Sequence, residues 1–211
     1  MKTAIVSIGL VVIMMATGAC VIFSPTSPIP SSYQGVVVLR DEGSGAGSGF
    51  VFAEDKSYYY IGTAEHVVAG LTEIEVDGII SEVVARDIIN DVAIVRVRKN
   101  KIVYPVYSLG RVRLEDHVYA AGYTWGNGWA ADPTFMVYHG RITCINWDQC
   151  LSSNSGVFPG MSGGPLFNRK HEVVGITSRA ATAWGGYPIT TLSIFVPVDR
   201  LMELWNEYQG E

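Results

Sequence analysis

The chain has 211 residues, of which 48% are hydrophobic and only 17% charged. That length and balance suit one large domain or two small halves sharing an interface, and they set disorder aside for most of the chain. With 15 Lys and Arg against 20 Asp and Glu the net charge is −5, and no basic run occurs, which argues against a nucleic-acid surface because phosphate binding is driven by clustered cations.

The N-terminal MKTAIVSIGLVVIMMATGAC carries one cation, Lys2, then an apolar run from Ala4, then the small residues Gly18 and Ala19 before Cys20. This order reads as a secretory signal over residues 1–20. Three fates are open. ATGAC resembles a bacterial lipobox in which Cys20 is lipidated and becomes the first mature residue, although Thr17 stands where such motifs usually carry Leu. Ordinary cleavage near Ala19 is the second. An uncleaved anchor is the third, since roughly 20 apolar residues just span a bilayer. Each places the rest of the chain outside the cytoplasm, and lipidation of Cys20 or an uncleaved anchor would attach it to the membrane through the N-terminus. Residues 21–33 follow as a linker, with SPTSPIPSSY at 24–33 supplying three prolines and no apolar period.

From residue 34 to 211 the pattern changes to short runs rich in Val, Ile and Tyr and broken by glycine: GVVVLR, SGFVFA, SYYYIGTA, TEIEV, SEVVARD, DVAIVRV, HVYAAGY, FMVYHGRITCI, PLFN, EVVGITS and TLSIFVPV. Such runs at short spacing predict an all-β antiparallel barrel or sandwich. DEGSGAGSGF lacks the Lys-Ser/Thr of a phosphate loop and leads into a strand, so it reads as a flexible hairpin loop. Only the tail, PVDRLMELWNEYQ, reads as a helix, with Leu201, Leu204 and Trp205 at helical spacing and Pro197 and Asp199 at its start. With Cys20 assigned to the targeting segment, Cys144 and Cys150 remain as a pair expected to close a disulfide over CINWDQC in an oxidising compartment, two free thiols being the alternative. No metal site is expected, since two cysteines without a nearby histidine give too few ligands. No cofactor is implied.

The chemistry concentrates in PGMSGGPLF, residues 159–167. Glycines on both sides of Ser162 permit positive φ and close substrate approach. The same freedom lets the N–H groups of Gly160 and Ser162 converge as an oxyanion hole across Gly160, Met161 and Ser162. Taken alone, such a segment is usually a turn. A serine also needs a base. Of the four histidines, His117, His139 and His171 sit in unremarkable contexts, whereas His66 in GTAEHVV lies where a β-run ends. A third group must orient the imidazole, and Asp91, which opens the apolar run DVAIVRV, is favoured over Asp87.

GTAEHVV, NDVAIV and PGMSGGPL in that order resemble the trypsin-like (chymotrypsin-fold) serine peptidases, most closely the bacterial HtrA-like branch, over roughly residues 35–200. GSGFVF, VYAAGY and VVGITS extend the likeness. The resemblance implies two antiparallel β-barrels of about six strands each, about 34–105 and 106–197, with the active site between them and a short C-terminal helix. It implies an exported serine endopeptidase acting on protein or peptide substrates: Ser162 attacks the carbonyl, His66 shuttles the proton and Asp91 fixes its tautomer. It also places the floor of the primary pocket at Gly156 and the substrate-pairing strand at Ser178, Arg179 and Ala180, an uncharged pocket for small or medium apolar side chains. Met161 departs from the digestive members, which have Asp there to pair with a freed N-terminus, so activation by that ion pair is excluded. The alternative is a catalytically silent binding protein on the same fold. An esterase elbow is disfavoured by the β-rich surroundings of Ser162.

Overall fold

In a computed structural model the described residues are 20–22, 29–41, 45–124, 133–145, 150–153, 156–184 and 187–210. The signal expected over residues 1–20 lies outside them except for Cys20. Among the described residues no helix is long and apolar enough to cross a membrane.

Strand β1 (Cys20–Ile22) stands apart from the first barrel. That barrel is built from β2 (Val36–Asp41), β3 (Gly45–Glu54), β4 (Tyr58–Thr63), β5 (Glu73–Val76), β6 (Ile79–Asp87) and β7 (Val92–Arg98). All pairs are antiparallel, and the ring closes in the order β2-β3-β4-β7-β6-β5. The second half contains β8 (His117–Thr124), β9 (Thr134–Ile145), β10 (Cys150–Ser153), β11 (Pro165–Phe167), β12 (Val173–Trp184) and β13 (Tyr187–Pro197). Its sheet runs β1-β9-β10-β13-β12-β11-β8, and β8 pairs back onto β9, returning six strands on themselves. The helix α1 (Val198–Gln209) follows, ended by Gly210 at φ 81°. This is the all-β, two-barrel fold with one C-terminal helix that the resemblance implies.

In β2 and β7 the apolar runs do not alternate with polar residues because both faces of these strands are buried, whereas β5 (EIEV) alternates, with Ile74 and Val76 buried. Along β7, Ala93, Val95 and Val97 fill the first barrel with Val37, Leu39 and Ile61. The intervening Val92 and Ile94 turn outward into a second cluster with Phe50, Ile176 and Leu201, which draws on both barrels and the helix. The period of two along a strand thus divides one continuous apolar run between two cores. Helix α1 closes the outer side of the first barrel, with Trp205 packed edge-on against Tyr60 and Phe52 at centroid distances of 4.6 and 5.3 Å.

Three expectations change. The glycines at 45, 47 and 49 belong to β3 rather than to a flexible loop, paired with Asp41, Leu39 and Val37. Side chains have no room at Gly47 and Gly49: a Cβ on Gly47 would meet Val67 at 2.5 Å and the Ser162 carbonyl oxygen at 3.1 Å, and one on Gly49 would meet Ile61 at 2.6 Å. Tyr33, at the end of the expected linker, packs on Phe135 and Phe167 after a single turn at Ser31–Tyr33. Cys144 is a free thiol, and the ladder sets it across from Leu151 while Cys150 stands across from Ile145. With Cys144 free, the expected Cys144–Cys150 disulfide is not formed.

Candidate active site

Strand β4 ends at Thr63, and a single 3-10 turn at Glu65–Val67 then carries His66, closed by Val67 N–H to Ala64 O (3.2 Å) and Val68 N–H to Glu65 O (2.9 Å). Its partner comes from the turn between β6 and β7. There Asp87, the other acid considered from the sequence, accepts the backbone N–H of Ile89 and of Asn90, each at 3.0 Å. This side-chain turn delivers Asp91 at φ 56°, a left-handed conformation that Asp tolerates better than most residues. Asp87 therefore builds the turn and Asp91 faces the histidine.

The Asp91 carboxylate accepts from His66 Nδ1 (2.9 and 3.0 Å), from the His66 backbone N–H (3.0 Å) and from the Ser178 hydroxyl (2.5 Å). Burial acts to raise the Asp91 pKa. The hydrogen bonds from the His66 ring, the Ser178 hydroxyl and the His66 amide, with the charge of the imidazole, outweigh it and hold the carboxyl below its ordinary range. For His66 the bond to Asp91 is the largest influence and raises its pKa. Burial opposes this, the charges of Asp91 and Glu65 assist it, and Arg179 opposes it. An aspartate that fixes Nδ1 as the donor leaves Nε2 free to accept a proton.

Ser162 lies in the second half, in two successive tight turns. Met161 N–H donates to Phe158 O (2.9 Å), closing a turn with Pro159 and Gly160 at its centre, and Gly160 has φ 96°. Proline at the second position and a positive-φ glycine at the third are the requirements of a type II turn. Gly164 N–H then donates to Met161 O (3.0 Å), with Gly163 at φ 83°. The Met161 amide, counted with Gly160 and Ser162 in the expected oxyanion hole, is thereby engaged inside the turn and is not a donor to that hole. The N–H groups of Gly160 and Ser162 have no acceptor among the described residues. The Met161 side chain is fully buried with Val118, Ala120, Ile142, Leu166 and Phe195. An apolar anchor thus fixes the turn where an ion pair does so in relatives activated by cleavage.

His66, Ser162, Ser178, Arg179 and Ala180 line one cleft of about 300 Å3, together with Val157, Phe158, Pro159 and Thr177. Ser162 Oγ donates to Ser178 O at 3.3 Å and makes no hydrogen bond to His66. Gly156 is not on the cleft wall; a Cβ placed on it would touch the Tyr138 ring at 3.3 Å. The described part of the wall carries no carboxylate. A larger depression of about 870 Å3, lined by Arg113, His117 and Lys170 among others, contains none of the residues singled out from the sequence for catalysis. Among the described residues no cluster of His, Cys, Asp or Glu is placed to hold a metal ion.

Two contributors escaped the sequence reading. Ser48 of β3 is fully buried. Its N–H donates to Ser162 O (2.7 Å), its hydroxyl donates to Gly160 O (2.8 Å) and accepts from Tyr123 N–H (2.8 Å), and its carbonyl accepts from Thr63 Oγ1 (2.8 Å). It ties the first barrel to the serine turn. The available signal was a lone serine between glycines at the start of an apolar run, which the loop reading absorbed. The resemblance places Ser178 only in a substrate-pairing strand, and nothing in its sequence neighbours marks its hydroxyl as a partner of Asp91.

A model of the trypsin-like peptidase domain matches residues 47–176. The chain is 32% identical over 204 residues to a probable periplasmic serine endoprotease DegP-like protein of Halomonas elongata, covering 90% of this chain and 40% of that protein. It is 31% identical over 175 residues to the protein of the same description from Hahella chejuensis, covering 79% and 36%. The chain thus spans well under half the length of these curated relatives. Among solved structures, the serine endoprotease from Yersinia pestis superposes with a TM-score of 0.65 at 23% identity, covering 84% of this chain and 65% of that one. The inactive form of a mutant of Rv3671c from M. tuberculosis H37Rv superposes with a TM-score of 0.66 at 22% identity, covering 88% and 96%. Both support the fold. With the family model matching more than half of its length, the chain belongs to the trypsin-like peptidase domain family.

Proposed function

We propose that this chain is an exported, periplasmic serine endopeptidase that cleaves protein or peptide substrates through Ser162, His66 and Asp91. The observation that carries this reading is the Asp91 carboxylate, held by both the ring and the amide of His66, with His66 lining the same cleft as Ser162. In the reaction, Ser162 Oγ leaves its 3.3 Å contact with Ser178 O and turns toward Nε2 of His66, a rotamer change on the picosecond to nanosecond scale. Nε2 takes the hydroxyl proton as Oγ bonds to the substrate carbonyl carbon. Asp91 stabilises the imidazolium that forms without taking its proton. The carbonyl electrons move onto oxygen, where the N–H groups of Gly160 and Ser162 receive the charge. Collapse of the adduct breaks the C–N bond, Nε2 protonates the leaving amine, and water hydrolyses the acyl-enzyme by the same steps.

The relatives' description as periplasmic and the apolar N-terminal run support export, and ATGAC makes a lipidated Cys20 one of three fates for the N-terminus, beside simple cleavage and an uncleaved anchor. Intact mass of protein purified from membranes separates lipidation from simple cleavage and from an uncleaved anchor. The apolar lining by Val157, Phe158 and Ala180 supports small or medium apolar residues at the cleavage position. A fluorogenic peptide library tests this, and a clear preference for Arg or Lys contradicts it. For the activity itself, the full chain hydrolyses casein and Ser162→Ala does not. Equal hydrolysis by both proteins overturns the proposal.

A further inference from the structure

The orientation of a trans peptide is set by whichever of its two ends is held, because its C=O and N–H point in opposite directions. Each peptide of the serine turn can be examined in this way. The Gly160–Met161 peptide is held at both ends, by Ser48 Oγ on its carbonyl and by Phe158 O on its N–H. The Ser162–Gly163 peptide is also held at both ends, by Ser48 N–H and by Thr177 O. The Met161–Ser162 peptide is held through its carbonyl by Gly164 N–H, a bond internal to the turn.

The Pro159–Gly160 peptide differs. Its N–H is the other donor of the oxyanion hole, and its single hold is on the carbonyl: Thr124 Oγ1 donates to Pro159 O at 3.0 Å. This central peptide of a Pro-Gly turn has two accessible orientations, type II and type I, which differ by a flip of that one peptide. Type II requires the positive φ that Gly160 shows. In type I the Pro159 carbonyl would occupy the side of the Gly160 N–H, and an acceptor would face the developing oxyanion in place of a donor. Thr124 closes β8 and is 6% exposed, so its hydroxyl is shielded from competing water.

We propose that Thr124 is a positioning residue whose hydroxyl, by holding the Pro159 carbonyl, keeps the Gly160 N–H turned into the cleft and the oxyanion hole open. This rests on the peptidase reading above. Thr124 touches neither substrate nor reacting atoms. It acts through one peptide plane.

The test compares Thr124→Val, which keeps the shape and removes the donor, with Thr124→Ser, which keeps the donor. Removing an oxyanion donor outright costs about 10²–10³-fold in kcat, and an unheld peptide that still visits the open orientation loses part of this. Thr124→Val is therefore expected to lower kcat about 10- to 100-fold with KM nearly unchanged. It should weaken a peptide boronate, which forms a tetrahedral adduct at Ser162, by a similar factor, and leave a cleaved product peptide bound as before. Thr124→Ser is expected to restore kcat to within about threefold of the parent, since it retains the hydroxyl. A Thr124→Val protein with unchanged kcat overturns the proposal, as does equal weakening of boronate and product, which marks general distortion. If Thr124→Val does not fold, Thr124→Ser decides: parental kcat supports the hydroxyl's role, and a loss comparable to an oxyanion-hole deletion contradicts it. Failure of the peptidase reading looks different, because the parent protein itself would then show no turnover.

Discussion

Replacing Asp91 by Asn keeps the shape of the side chain and removes its charge, which separates what the carboxylate does from how it packs. Three donors converge on it, two from His66 and one from Ser178. An amide oxygen can keep the two His66 donors only by turning its NH2 toward Ser178; in the opposite flip the NH2 faces Nδ1 and selects the wrong tautomer. Two opposite charges about 4 Å apart interact by roughly 4 kcal/mol at an effective dielectric of about 20. His66 has 47% of its side chain exposed, so solvent screening reduces this to about 3 kcal/mol, or roughly 10²-fold in rate. Loss of the correct tautomer carries the expected fall in kcat toward about 10⁴-fold. The assay is kcat/KM against pH on a fluorogenic peptide. Asp91 raises the His66 pKa, and the base must be neutral to act, so the parent's acid limb lies above the ordinary histidine value of about 6.5. In Asp91→Asn the limb moves down, because burial and Arg179 remain to oppose protonation. An unmoved limb with kcat within tenfold of the parent refutes the assignment of Asp91.

Further expectations follow from single contacts. Ser178→Ala removes one of the hydrogen bonds that hold the Asp91 carboxyl below its ordinary range; kcat should fall about tenfold, at roughly 1.5 kcal/mol for a bond to a charged group, and titration of Asp91 by NMR should show its pKa rising. Gly163→Ala puts a Cβ 2.1 Å from Thr63 Oγ1 and 2.2 Å from Ser48 O at φ 83°, so the protein should lose more than about 3 kcal/mol in urea unfolding or fail to fold. Thr177 Oγ1 is buried with no partner among the described residues, so Thr177→Val should be neutral or stabilising, by up to about 1 kcal/mol on the same assay. Parent and Asp91→Asn compared by thermal unfolding across acid pH should diverge in one direction: the contribution of a depressed carboxylate is complete above about pH 3.9 and is lost as pH falls through its lowered folded value.

The sequence made the strands legible because Val, Ile and Tyr runs broken by glycine have few other solutions, and it made His66, Asp91 and Ser162 legible because each sits at the broken end of such a run. What it hid was long-range. Nothing within GSGAGSGF separates a loop from a strand whose missing side chains make room for Val67 and the serine turn. Ser48 and Ser162 are 114 positions apart in the chain, and Ser178 and Asp91 are 87 apart, so their bonds are consequences of barrel closure with no local signature. The six-residue spacing of Cys144 and Cys150 suggested a bridge, whereas the register of β9 and β10 sets Cys144 across from Leu151, with its thiol free. Met161 was legible as a departure from the cleavage-activated pattern, and its burial supplies the reason: apolar packing holds the turn in place.

The central claim is that Ser162 is the nucleophile made reactive by His66 and Asp91. The most direct measurement is labelling of the folded full-length protein with a fluorophosphonate, followed by digestion and mass spectrometry to locate the adduct. The account predicts a single adduct on Ser162, slowed by orders of magnitude in His66→Ala and absent in Ser162→Ala. An adduct on another residue, or labelling that persists in Ser162→Ala, contradicts it.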